Sequence, residues 1–95
     1  MDPVTTTSMM RLYYVYVLES IKDGKRYVGF TNDLKKRLSA HQKGEVSSTA
    51  HRKPFRLIYF EGCTNIMDTK RREHYLKTTG GRRFLVKRLQ EYYRN

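Results

Sequence analysis

The sequence predicts an α/β protein of the α+β kind: a three-stranded antiparallel sheet flanked by three helices, in the order β-β-α-β-α-α. Three observations lead there. A continuous apolar and aromatic run, Leu12 to Leu18, is followed closely by an Asp-Gly turn signal at Asp23-Gly24 and a second strand-like run. Further on, two segments with helical spacing carry recognisable caps, and a lone β-rich segment lies between them. No internal repeat and no linker divides the chain, so its 95 residues make one domain with one core.

Each element has a local cause. In Leu12 to Leu18 every residue is apolar or aromatic, the pattern of a central strand buried on both faces. Asp-Gly favours a two-residue hairpin turn, from which Arg26 to Phe30 returns as the second strand. Gly29 interrupts that strand, which marks a bulge or a close approach to the backbone. "TNDLKKRLSAHQKG" is a helix with Thr31, Asn32 or Asp33 as N-cap and Gly44 at its end. A polar loop ends at Pro54, and "FRLIYFE" forms the third strand. "TNIMDTKRREHYLKTT" is the second helix, capped by Thr64 or Asn65 and broken by Gly80-Gly81. "RRFLVKRLQEYY" is the third, with Leu85, Leu89 and Tyr92 facing inward. Residues 1–10, polar and without pattern, read as a disordered leader before a domain spanning 11–95.

Charge indicates the partner. Twenty Lys and Arg against nine Asp and Glu give a net charge of +11. This exceeds what keeps a small domain dissolved, and it points to a polyanion. Nucleic acid is the expected partner, because lysine and arginine gain affinity by displacing counterions from phosphates. Neither a membrane-spanning run nor a signal peptide is visible, so no membrane role and a cytoplasmic location are expected. With Cys63 the only cysteine, a disulfide within the chain is impossible, and the unrelated spacings of His41, His51 and His74 disfavour a structural zinc site.

Polar residues fall in unexpected places. At about 100° per residue Leu34, Arg37, Leu38 and His41 share one face of the first helix, so an arginine and a histidine lie on the apolar stripe. Ile66, Thr69, Glu73 and Leu76 do the same in the second helix. Glu73 is the only acid from Lys70 to Arg88, a stretch holding eight Lys or Arg. An ion pair with Lys77 at i+4 is the ordinary explanation for Glu73, and snorkelling at the edge of the stripe is the one for His41. A functional explanation competes with both. An inward carboxylate, a guanidinium and tyrosine hydroxyls suit phosphodiester hydrolysis: the carboxylate to hold Mg²⁺, the arginine to clamp phosphate, and a phenol of lowered pKa to take a proton from water.

"YVY" at Tyr14 to Tyr16, "YVG" at Tyr27 to Gly29, "LKKRLSAH" and "RREHYLKTTGGRRFL" together resemble the GIY-YIG nuclease family, over about Leu12 to Leu89. They are most similar to its small single-domain members, akin to the catalytic domain of the excision-repair endonuclease subunit. Tyr14 stands where the signature has its first glycine. The resemblance implies cleavage of phosphodiester bonds dependent on Mg²⁺ or Mn²⁺. It implies Tyr16 as general base or the base's direct partner, Tyr27 orienting water or phosphate, and Gly29 leaving room for them. It further implies Arg37 binding the scissile phosphate, His41 assisting proton transfer or positioning Tyr16, and Glu73 as metal ligand and catalytic carboxylate. Gly29, Lys35, Arg52, Lys53, Arg72 and Arg82 are the candidate contacts to nucleic acid, with DNA favoured over RNA. The expected function is a structure-specific or weakly specific endonuclease in repair or recombination; the alternative is a nucleic-acid-binding module of the same fold with little or no catalysis. One geometric condition attaches to this. A two-residue turn at Asp23-Gly24 would leave Tyr16 and Tyr27 about four residues, ~13 Å, apart along one face, and a longer loop or a bulge at Gly29 would bring them closer.

Overall fold

The computed structural model describes residues 11–94, and the leader expected at 1–10 lies outside them. Strands β1 (Tyr13–Ser20), β2 (Arg26–Thr31) and β3 (Phe55–Cys63) form one antiparallel sheet in the order β2-β1-β3. Helix α1 (Leu34–Gln42) follows β2, a short 3₁₀ turn (Ala50–Arg52) precedes β3, and α2 (Ile66–Leu76), α3 (Thr79–Arg88) and α4 (Gln90–Arg94) complete the domain. The strand and helix order is the expected one, except that the last helical segment divides at Leu89 into α3 and α4.

β1 is the central strand and is buried on both faces, because successive side chains point to opposite sides. Val15 and Val17 pack with Leu76 of α2 and Leu85 of α3. Tyr16 and Leu18 pack on the other side with Phe55 and with Leu34 and Leu38 of α1. The Gln42 side chain ties α1 to β3: its amide nitrogen donates to the Phe55 carbonyl (2.8 Å) and its oxygen accepts from the Phe55 amide (3.0 Å).

The β1–β2 turn is not the expected two-residue one. Ile21 to Gly24 form a four-residue loop: the Ser20 amide bonds the Lys25 carbonyl (2.9 Å) and the Gly24 amide bonds the Ser20 carbonyl (2.8 Å). Gly24 ends the loop at φ +73°, a conformation that glycine adopts without penalty. Tyr16 therefore pairs with Gly29 and Leu18 with Tyr27, which leaves the two tyrosines diagonal neighbours with ring centroids 6.2 Å apart.

Gly80-Gly81 does not break the second helix. The corner comes earlier, where Lys77 ends α2 and Thr78 caps α3 by accepting from the Gly81 amide (3.1 Å). Gly81 is needed for proximity, since a Cβ there would lie 2.1 Å from the Tyr75 carbonyl oxygen and 2.5 Å from Leu76 Cα. Ile66 also departs from the expected inward stripe and is exposed, whereas Thr69 and Leu76 are buried. Cys63 is only half-buried.

Candidate active site

Tyr16, His41 and Thr49 are each fully buried and form one hydrogen-bonded chain. β1 supplies Tyr16, and α1 supplies Arg37 and His41, whose i, i+4 spacing points both toward the sheet. Asp33 fixes the start of that helix by accepting from the Lys36 amide (3.1 Å). The Tyr16 hydroxyl lies 2.7 Å from His41 Nε2, and Arg37 Nε donates to the Tyr16 oxygen at 3.3 Å.

The pattern of donors assigns the tautomer of His41. The Thr49 hydroxyl donates to the Val46 carbonyl (3.4 Å), which leaves Thr49 Oγ1 to accept from His41 Nδ1–H (2.8 Å). Nε2 then carries a lone pair and accepts the Tyr16 proton. Burial, reinforced by the neighbouring Arg37 cation, lowers the His41 pKa to about 4, so the ring is neutral at physiological pH. Thr49 has no spacing relation to the other site residues, and its place in a polar loop left no sequence signal.

Burial also acts on the phenol, in the direction opposite to the expectation. The Tyr16 pKa is raised: burial is the largest cause, the Arg37 hydrogen bond offsets part of it, and the Tyr27 and Glu73 charges add to it. Tyr16 is therefore a neutral donor to His41 rather than a standing phenolate. Arg37 is in turn held protonated by Tyr16, with a further contribution from the Tyr27 phenol.

Gly29 makes room for the network. A Cβ at Gly29 would lie 2.4 Å from both Cζ and the hydroxyl oxygen of Tyr16, so the phenol crosses the β2 backbone where only hydrogen fits. Tyr27 packs against His41 from the same side, with ring centroids 5.1 Å apart.

Glu73 lies on α2, close enough to Tyr16 for its charge to act on the hydroxyl. Its carboxylate is 23% exposed and pairs with Lys77 Nζ at 3.0 Å. The ordinary ion pair and the inward position thus coexist. Among the described residues no cluster of three or more His, Cys, Asp or Glu could hold a metal. One carboxylate with a cation already beside it nevertheless fits a hard divalent ion that takes its other ligands from water and phosphate. It does not fit zinc, which needs three or four protein ligands.

The expected nucleic-acid contacts divide into two groups. Lys35, Lys53 and Arg82 are exposed. Arg72 is bound to Glu61 through two bonds (2.7 and 3.2 Å) and lies over the Phe84 ring at 4.5 Å. Arg52 spans the hairpin loop, 3.6 Å from Asp23 and 3.4 Å from the Arg26 carbonyl.

The profile of the GIY-YIG catalytic domain matches residues 12–93. The chain belongs to the GIY-YIG family, whose catalytic domain implies nuclease activity. It is 43% identical over 65 residues to a UPF0213 protein of Clostridium perfringens, covering 67% of this chain and 69% of that one. A UPF0213 protein of Staphylococcus saprophyticus is 33% identical over 70 residues, covering 73% of this chain and 84% of that one. No solved structure matches. No helix among the described residues is long and apolar enough to cross a membrane.

Proposed function

We propose that the protein is an endonuclease that hydrolyses phosphodiester bonds in DNA with Mg²⁺ or Mn²⁺, structure-specific or weakly specific for sequence, in repair or recombination. One observation carries this: the Tyr16 hydroxyl lies between a neutral histidine acceptor and an arginine donor. The Tyr16 hydroxyl is closed to solvent in the free protein, so the step requires that substrate binding admit a water to its oxygen; that water gives the oxygen a proton as Tyr16 passes its own to His41 Nε2. The resulting hydroxide attacks phosphorus, the bond to the sugar oxygen breaks, and that oxygen takes a proton from solvent while His41 gives up the one it received. Thr49 holds His41 in the accepting tautomer, and Arg37 takes the phosphate with its terminal nitrogens while Nε stays on Tyr16. Glu73 would hold the divalent ion, which supplies Lewis-acid charge at the phosphate when bound. Since the described residues offer no recognition helix or zinc finger for base readout, affinity rests on phosphate contacts.

The Glu73–Lys77 ion pair favours a second reading, a nucleic-acid-binding module of the same fold with little or no catalysis. Supercoiled plasmid incubated with Mg²⁺ or Mn²⁺, with and without EDTA, decides between them. Nicking that requires metal and is lost in Glu73→Gln, while that variant still binds DNA in EDTA, is the expected result. Cleavage by Glu73→Gln at the parent rate would remove Glu73 from the metal.

A further inference from the structure

A second basic site lies on the other face of β2 from the Tyr16–His41 pair. Arg26 and Val28 alternate with Tyr27 along the strand, so their side chains point toward α2 and α3. There they line a cleft with Leu76, Leu85, Lys77 and Arg82, and Tyr27 of the candidate active site borders it as well. Among the described residues, three cations and no acid line this cleft. The acids nearest in sequence or register are engaged elsewhere: Glu73 accepts from Lys77, and Glu19, opposite Arg26 in the β1–β2 pairing, takes the Tyr92 hydroxyl. Arg26 Nη1 is buried and has no hydrogen-bond partner among the described residues, although the Tyr93 ring lies 5.7 Å from its guanidinium carbon. Hydrophobic packing alone gives no reason to gather three like charges, or to leave a buried guanidinium N–H unmatched. An anion with several acceptor oxygens would answer the gathered charge, and a turn of the Arg26 guanidinium out of its closed position beside Tyr93 would bring Nη1 to it.

We infer that this cleft binds a backbone phosphate of the nucleic acid other than the one cleaved, with Arg26, Arg82 and Lys77 as its ligands. β2 is an edge strand, so a strand of nucleic acid passing round that edge meets Arg37 on one face and the cleft on the other. Lys77 joins the two regions, since its ammonium also contacts Glu73. The inference rests on nucleic acid being the substrate, but not on the chemistry at Tyr16.

The test is equilibrium binding of a generic DNA duplex in EDTA across a range of salt, so that cleavage plays no part. The double variant Arg26→Gln/Arg82→Gln is compared with the parent and with Lys87→Gln, an exposed cation of the same helix as Arg82. Loss of a phosphate contact is expected to weaken binding at low salt and lower the slope of log affinity against log salt by about 0.9. Lys87→Gln should leave the slope unchanged. Arg82→Gln alone, at an exposed position, carries the same expectation if the double variant fails to fold. In parallel, inorganic pyrophosphate titrated into the parent protein should shift the Arg26 and Arg82 side-chain Nε–H resonances. A slope in the double variant equal to that of Lys87→Gln overturns the inference. Resonances that shift with pyrophosphate beside an unchanged slope would make the cleft a free-anion site, which overturns it equally. A parent affinity indifferent to salt would sink the nucleic-acid substrate itself. Absence of plasmid cleavage with the slope change intact would sink only the nuclease chemistry.

Discussion

The two faces of β1 are equally buried and serve different ends. Val15 and Val17 meet Leu76 and Leu85, and the contact is apolar throughout. Tyr16, on the opposite side of the same strand, meets His41 and Arg37 through its hydroxyl. Burial on the first face stabilises the fold directly, at roughly 25 cal/mol per Å² of apolar surface. Burial on the second raises the Tyr16 pKa and lowers that of His41, keeping both neutral and fixing which one holds the shared proton. One strand thus shows that the same loss of water gives packing energy or proton placement, depending on what is buried.

The largest effect that would sharpen this contrast is in rate. Tyr16→Phe keeps the ring and should slow cleavage by ~10²–10⁴. It also leaves His41 Nε2 without its donor, so stability should fall by about 1–3 kcal/mol. Single-turnover cleavage and chemical denaturation measure the two; a rate equal to the parent's would return Tyr16 to packing alone. On the apolar face, Leu76→Ala should cost about 2–5 kcal/mol of stability. Its cleavage rate, measured where the variant remains folded, should change little. A comparable loss of rate there would erase the distinction between the faces.

Smaller changes probe how the polar face is held. Gly29→Ala pushes against the end of the Tyr16 ring, and a displacement near 1 Å should cost ~10²-fold in rate. Thr49→Val keeps the shape but removes the acceptor from His41 Nδ1–H, and a loss of about tenfold in rate is expected. Its pH–rate profile should shift as well, which a purely structural role would not produce. The smallest effect is on the pH dependence of stability. His41 titrates at about 4 in the folded protein and near 6.5 when unfolded, so between these values the unfolded chain binds a proton that the folded one refuses. Stability contributed by neutral His41 is therefore complete above pH 6.5 and lost as pH falls toward about 4. Melting curves across that window should flatten in His41→Gln, and an unchanged slope would mean His41 is not the group responsible.

Helical spacing made half of the candidate site's geometry legible. Arg37 and His41 declare a shared face at i, i+4, and Glu73 stands out as a lone acid on an apolar stripe. Spacing within a strand also separates Tyr16 from its neighbours, but not the distance from Tyr16 to Tyr27, because Asp-Gly permits more than one loop length. Gly29 signalled a close approach without saying that Tyr16 makes it. The direction of the phenol's pKa was hidden for a related reason: cations are visible in a sequence, whereas the depth of burial that outweighs them is not. Thr49 reaches His41 from a loop, where no periodicity constrains position. The corner at Lys77-Thr78 was masked by Gly80-Gly81, whose second glycine serves close packing instead of termination.

The hairpin loop acts as a ruler for the site. With Ile21 to Gly24 outside the ladder, Tyr16 is set against Gly29, the one residue of β2 that has no side chain. A tight turn on Asp23-Gly24 alone would slide β2 by two residues and set Tyr16 against Thr31, whose Cβ would occupy the space the phenol needs. Inward and outward faces would be preserved, and the apolar pattern would be satisfied almost as well. Only the measure of the strand would be wrong. Length at an exposed hairpin tip, ordinarily the cheapest feature of a protein to vary, is here a dimension of the site.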